Sequence, residues 1–172
     1  MTIPAKLTAH LDQAHATYIP VHHAPARSAQ YAASLLHISG KGVAKTVALR
    51  TGKQILLAVL PASYHVNLER LARLVGQPVK LIDEQECCRL FPDCQPGAIP
   101  PFGELYGFSV YLDTVLAQAP EITFGAGTLS DAIRMGNTDF VYVVKPHICS
   151  FADEGEIVSH DQIFAEEEGG GK

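Results

Sequence analysis

From Val43 to Arg50 the sequence keeps a period of two, and a glycine-bearing turn leads on to an apolar run ending at Leu60, a pairing that commits the chain to an antiparallel hairpin. Val43, Lys45, Val47 and Leu49 alternate with Ala44, Thr46, Ala48 and Arg50; Thr51-Gly52 turns the strand, and Gln54 to Leu60 returns. Lys45 therefore falls with the apolar set. A lysine there snorkels its ammonium to water at a sheet edge, pairs with an anion, or loses its charge. Alternation alone leaves two readings open, an incidental edge lysine and a cation aimed into a cavity.

Helical patterns surround the hairpin. Leu7, Leu11 and Ala14 recur at helical spacing between Ala5 and Ala16, and an extended segment, Tyr18 to Val21, follows. Ser28 is a suitable N-cap for a helix carrying Ala32, Leu35 and Leu36, which Gly40 and Gly42 stop. Asn67 caps a helix with Leu68, Leu71, Ala72 and Val75 inward, and Gly76 closes it. Asp83 with Glu86 resembles a capping box before a short helix through Leu90. Short strands are expected around Val79 to Ile82, Gly107 to Leu112, Glu121 to Phe124 and Leu129 to Met135. Asn137 to Val144 reads two ways: Asn137 caps a helix, whereas Val141 to Val144 favour a strand by propensity.

At 172 residues and 47% hydrophobic content, one core and one domain are expected, spanning residues 1–151. After Phe151 the composition turns to acids and glycine, so residues 152–172 read as a disordered tail. A formal charge of −5 argues against a sequence-blind binder of many phosphates, and no DNA partner is expected. The amino terminus has no apolar signal core, and no apolar run reaches the roughly 18 residues of a spanning helix. No membrane association and a cytoplasmic location are therefore expected. The cysteines, Cys87, Cys88, Cys94 and Cys149, form no CxxC pair, and the eight histidines show no HExxH spacing. No metal and no cofactor are expected.

Gly97-Ala98-Ile99-Pro100-Pro101-Phe102-Gly103 is fenced by glycines and stiffened by prolines. It is either an ordinary turn or a rigid wall against a ligand. In the second case, main-chain N–H groups near Gly97 and Ala98 are candidates to hold a carbonyl oxygen as charge develops on it. Phe124-Gly125-Ala126-Gly127-Thr128 is a further glycine-bearing turn, a weak signal taken alone.

In order along the chain, Val43-Ala44-Lys45-Thr46-Val47, the strand into Leu60-Pro61, the helix from Asn67 to Gly76, the Gly97–Gly103 loop, Tyr111-Leu112-Asp113 and Gly125-Ala126-Gly127 resemble the YbaK family. That family comprises small aminoacyl-tRNA deacylases and is similar to the editing domain of bacterial prolyl-tRNA synthetase. The resemblance runs from about His22 to Pro146. It implies a mixed α/β fold around a curved, barrel-like sheet, a helix at Asn137 to Val144, and hydrolysis of the ester joining a wrong, small amino acid to tRNA. Lys45 maps onto the family's lysine as the catalytic group, and Gly97 to Pro101 onto its GxxxP loop. The substrate-binding set so implied is His23, the whole loop Gly97, Ala98, Ile99, Pro100, Pro101, Phe102 and Gly103, and the turn Gly125, Ala126, Gly127 and Thr128. A water or the terminal ribose hydroxyl attacks, and no protein nucleophile or metal is needed. Many relatives carry a histidine where this chain has Leu129, a departure that bears on the accepted amino acid and on activity.

The partner implied is the acceptor end of an aminoacyl-tRNA, with an aminoacyl-tRNA synthetase as a second candidate. Arg50, Lys53, Arg70, Arg73 and Lys80 are the cations available for a docking rim. The rival reading is a non-catalytic relative that keeps the pocket but only binds tRNA, a nucleotide, an amino acid or a protein.

Overall fold

The computed structural model describes residues 2–155 and puts the expected hairpin at its centre. Before it come α1 (Ala5–Gln13), β1 (Tyr18–His22) and α2 (Ala29–Leu35); the hairpin is β2 (Val43–Thr51) and β3 (Gln54–Pro61). Next are β4 (Tyr64–Val66), α3 (Leu68–Val75), β5 (Lys80–Leu81) and α4 (Glu84–Leu90). After a 3₁₀ turn at Gly103–Tyr106 follow β6 (Ser109–Asp113), α5 (Thr114–Ala117), β7 (Glu121–Gly125), β8 (Asp131–Gly136), α6 (Asn137–Val144), β9 (His147–Cys149) and β10 (Ala152–Glu154).

The expected caps form. Ser28 Oγ accepts from Tyr31 N–H (3.1 Å), Asn67 Oδ1 from Arg70 N–H (2.9 Å) and Asp83 Oδ1 from Glu86 N–H (2.8 Å). Each satisfies a helix-terminal donor that would otherwise be orphaned. Two helices end sooner than the pattern implies: His15 and His37 adopt left-handed backbone (φ 55° each), ending α1 before Ala16 and α2 well before Gly40. Residues 137–144 are helical, but Asn137 is not the cap. Gly136 holds that position, and the buried Asn137 Nδ2 donates to the carbonyls of Leu116 (2.8 Å), Ala117 (3.2 Å) and Ala119 (2.7 Å) at the end of α5.

The main sheet has eight strands, ordered β1-β8-β7-β2-β3-β6-β9 with β5 also on β2. It is mixed: β2–β7, β3–β6 and β6–β9 run parallel and the other pairs antiparallel. The fold is thus the expected mixed α/β architecture, but the strand path ends at β1 and β9 and does not close into a barrel. Ile55 to Pro61 are all buried, because β3 is covered on both faces. One face packs Leu57 and Val59 with Ala44, Ala48, Leu7 and Leu11 and with the rings of Phe91, Phe102, Phe124 and Phe140. The other packs Leu56, Ala58 and Leu60 with Leu49, Leu71 and Phe151.

The acidic tail does not begin at Ala152. Ala152–Glu154 form β10, which pairs antiparallel with β4 (Ala152↔Val66, Asp153↔His65, Glu154↔Tyr64). Its anchor is Asp113, fully buried, whose Oδ1 accepts the N–H groups of Phe151 and Ala152 (2.9 Å each) while Oδ2 accepts that of Val115 (3.0 Å). The rest of the expected tail, residues 156–172, lies outside the described residues.

Candidate functional site

A cavity of about 630 Å³ opens along one edge of β2, walled by the start of α2, by α4, and by residues 96–99 and 123–132. It exists because the sheet splits there. β7 stays beside β2 only for Val43↔Thr123 and Ala44↔Phe124, and β5 joins β2 only at Leu49↔Leu81 and Arg50↔Lys80. Beyond Phe124 the chain is drawn to the neighbouring loop, where Gly127 N–H donates to the Ala98 carbonyl (2.8 Å). There is close approach here: a Cβ on Gly125 would sit 3.4 Å from Ala98 Cα.

Lys45 lines this cavity, half-buried, and its Nζ donates to the carbonyl of Tyr64 in β4. Burial pushes its pKa below the usual lysine value, since desolvation disfavours the ammonium. The ion pairs recorded among the described residues give Lys45 no carboxylate.

The Gly97–Gly103 loop divides in two. Gly97, Ala98 and Ile99 line the cavity, whereas Pro100, Pro101, Phe102 and Gly103 are buried away from it. Phe102 is the anchor, with ring contacts to Phe124 (5.3 Å) and Phe140 (5.8 Å). Gly97 has φ 87°, and a Cβ there would lie 2.8 Å from the Arg27 carbonyl oxygen, so only glycine fits. The expectation that Ala98 N–H is free to hold a ligand oxygen is corrected: it donates to the Gln95 carbonyl (3.1 Å) and closes the turn.

Of the turn at 125–128, Gly125 and Thr128 line the cavity; Ala126 is fully buried, and Gly127 faces Pro4 instead. Thr128 Oγ1 donates to Asp131 Oδ2 (2.6 Å), and His22 Nδ1 lies 3.1 Å from Asp131 Oδ1. Burial alone would raise the Asp131 pKa, but the hydrogen bonds from Thr128 and His22 outweigh it and hold the carboxyl below the usual range. His23 also lines the cavity, its Nδ1 2.7 Å from the Ala24 carbonyl. A carbonyl only accepts, so Nδ1 carries a hydrogen and Nε2 is left to face the cavity.

Sequence reasoning passed over Asp131, Glu84, Cys87 and Ser28, which reach the same cavity from β8, α4 and the α2 cap. The Asp83 cap and Ser28 cap were the signals, since helix starts set those walls. Cys87 is a poor nucleophile: burial first, then Cys88, Asp83 and Glu84, raise its thiol pKa. Leu129 adds apolar lining, and its main chain is engaged on both sides, the N–H donating to Gln95 Oε1 (2.8 Å) and the carbonyl accepting from Ala26 N–H (2.8 Å). Two expected rim cations are engaged with carboxylates, Arg50 with Glu86 and Arg70 with Asp153, whereas Lys53, Arg73 and Lys80 are exposed. Among the described residues, no helix is long and apolar enough to cross a membrane, and no three His, Cys, Asp or Glu side chains are grouped to hold a metal ion.

Against solved structures, the fold is similar to hypothetical protein APE2540 at a TM-score of 0.79 and 19% identity, over 86% of this chain and 99% of that one. It is also similar to a candidate trans-editing enzyme for prolyl-tRNA synthetase (TM-score 0.73, 21% identity, 86% and 95% covered). A candidate signal transduction protein from Marinobacter aquaeolei matches at a TM-score of 0.72 and 16% identity, over 89% of this chain but 31% of the other. No curated protein matches the chain. The sequence itself fits the aminoacyl-tRNA editing domain over residues 23–142, a span that takes in the hairpin, the loop at Gly97 and every wall of the cavity. The chain belongs to the aminoacyl-tRNA editing domain family.

Proposed function

We propose that this protein is a free-standing hydrolase that cleaves the ester of a mischarged aminoacyl-tRNA and releases a small amino acid. The observation that carries this reading is Lys45, a half-buried ammonium with no carboxylate partner among the described residues, on a cavity it shares with the Gly97–Ile99 wall. Such a cation favours an anion, either a phosphate of the acceptor end or the ester oxygen as it gains charge. The volume of about 630 Å³ falls among small-molecule sites, roughly 300–1,000 Å³.

The attacking oxygen is that of a water, whose proton passes to the departing ribose oxygen; attack by the neighbouring ribose hydroxyl would only shift the ester to that hydroxyl. The water oxygen adds to the ester carbonyl, and the bond from that carbon to the ribose oxygen breaks. Cys87 stays protonated at neutral pH, so no thiolate competes for the role. The chain contributes orientation and charge: Ile99 and Leu129 give apolar contact to a small side chain, and His23 Nε2 and Thr128 give polar contact. Lys53, Arg73 and Lys80, exposed and outside the cavity lining, are the cations offered to the acceptor end. The protein acts in the cytoplasm, with tRNA and not DNA or membrane as partner, and a synthetase that supplies the mischarged tRNA as a second one.

The test is a deacylation panel of purified protein against tRNAs charged with alanine, serine, threonine and cysteine. At least one lane should lose its amino acid faster than the protein-free control. A second reading draws on Leu129, an apolar residue where many relatives have histidine: the cavity binds an aminoacyl or nucleotide ligand without turnover. Four stable lanes with retained tRNA binding would replace the first reading by the second.

A further inference from the structure

Among the described residues, the split in the sheet leaves main-chain groups without ladder partners at the cavity. In β2 the carbonyl of Val43 accepts from Ala62 N–H (2.8 Å), on the β3 side. Main-chain groups alternate sides along a strand, so Lys45 and Val47 also face β3, while Gly42, Ala44, Thr46 and Ala48 face away. The neighbours on that far side agree: the Gly42 carbonyl accepts from Thr123 N–H (3.0 Å), and the Ala48 carbonyl from Ile82 N–H (3.5 Å). Between these two bonds lies Thr46. β7 has left after Ala44 and β5 has not arrived before Leu49, so neither the N–H nor the C=O of Thr46 has a ladder partner, and Thr46 lines the cavity.

We infer that this one-residue stretch of open edge reads the aminoacyl group of the substrate. In a hydrogen-bonded antiparallel pair, two extended residues exchange both bonds, N–H to C=O each way. An aminoacyl ester is one extended residue with a free amine. Its α-ammonium donates to the Thr46 carbonyl, and its ester carbonyl accepts from the Thr46 N–H. The substrate class so recognised is an α-aminoacyl ester with an unblocked amine, whatever its side chain. Thr46 fixes the reacting carbonyl beside Lys45, and Ile99 and Leu129 are left to sort side chains by size. Unpaired main-chain donors and acceptors are costly in a folded protein, and a ligand that pairs with both recovers that cost.

This inference rests on the deacylase reading, and one set of amide spectra separates the two. The full chain, labelled with ¹⁵N, is titrated with adenosine carrying alanine through a 3′-amide, which keeps the ammonium and carbonyl but does not hydrolyse. Without ligand, the Thr46 amide should exchange with solvent at least about tenfold faster than Lys45 and Val47, which are held by β3. With ligand, Thr46 should shift downfield and its exchange slow by about tenfold or more, with Val47 unchanged. The propionyl counterpart, which lacks the amine, should bind at least about tenfold more weakly, about 1.4 kcal/mol. Shifts at Gly97 and Ile99 with Thr46 unmoved would overturn the edge recognition and leave the deacylase standing. No shift at any cavity residue, together with stable lanes in the deacylation panel, would overturn both.

Discussion

Ending the chain after Phe151 removes a strand on which the candidate catalytic lysine depends. The amide of Ala152 donates to the fully buried Asp113 carboxylate (2.9 Å), and bonds of that charged kind contribute about 1.5–3 kcal/mol. The β10–β4 ladder and the bond from Gly155 N–H to the Ser63 carbonyl (3.0 Å) are neutral, at about 0.5–1.5 kcal/mol each. The Arg70–Asp153 pair is solvent-exposed and adds nothing to the sum. With the ladder and the Gly155 bond taken as one neutral contribution each, the loss comes to about 2.5–6 kcal/mol, which at about 2–4 °C per kcal/mol for a chain of this size lowers Tm by about 5–24 °C. The proper comparison is a chain ending after Gly155, so that whatever residues 156–172 contribute cancels. Thermal and urea unfolding of the two truncations measure the difference. Activity should fall as well, at a temperature where both are folded, because β10 braces Tyr64, whose carbonyl holds the Lys45 ammonium. Two truncations that unfold within about 2 °C of each other would refute the reasoning, since β10 would then hold nothing.

Lys45→Ala should lower kcat/KM on a cognate mischarged tRNA at least about tenfold, about 1.4 kcal/mol of transition-state stabilisation, with little change in Tm; Arg50→Ala, whose partner is Glu86, is the control. Burial lowers the Lys45 pKa, so ammonium-dependent activity is lost as pH rises through that lowered value; Lys45→Arg, always charged, should move the alkaline limb upward while restoring only part of the rate, read after subtracting uncatalysed hydrolysis. Gly97→Val should cost turnover and stability together, because the new Cβ meets the Arg27 carbonyl at 2.8 Å; an unchanged Tm with unchanged kinetics would reduce the loop to a turn. Asn137→Ala should lower stability by about 1–3 kcal/mol in urea unfolding, by leaving the α5 carbonyls without their donor, and should leave KM alone.

What was legible in the sequence was local. Ser28, Asn67 and Asp83 cap helices because each needs only a donor two or three residues ahead, and the hairpin needs only alternation and a glycine at its turn. The strands that escaped notice, β4, β9 and β10, are three residues each, too short for a period to register. Ala152–Glu154 was misread because its acids look like tail; Asp153 is matched by Asn67 and Arg70, about eighty residues earlier, and the strand's entry is fixed by Asp113. At the site, Lys45 and Gly97 stood out as a charge and a backbone freedom that local structure did not explain. Asp131 did not stand out, because its significance lies in Thr128 and in His22 across a strand pair. The division of the loop at Ile99 was equally hidden: prolines look alike in sequence whether they face a ligand or a core, and it is Phe102, locked among Phe124 and Phe140, that pulls the second half inward.

The site is built less from what the fold pairs than from what it leaves unpaired. Under the proposed deacylase reading, in which the chain brings no nucleophile, the donors, acceptors and charge offered to a substrate have to be ones not already spent on the protein. β7 turns away after Phe124 to meet Ala98, and that departure opens the Thr46 edge. The same turn holds Leu129 through Gln95 and Ala26, so hydrogen bonds fix the wall where it borders the opening. Lys45 is held by a neutral carbonyl, which orients the ammonium without cancelling its charge as a carboxylate would. Lys45 is therefore oriented by a bond that takes up one ammonium hydrogen and leaves its charge and remaining hydrogens for a substrate, which is the condition electrostatic stabilisation of a developing oxyanion requires.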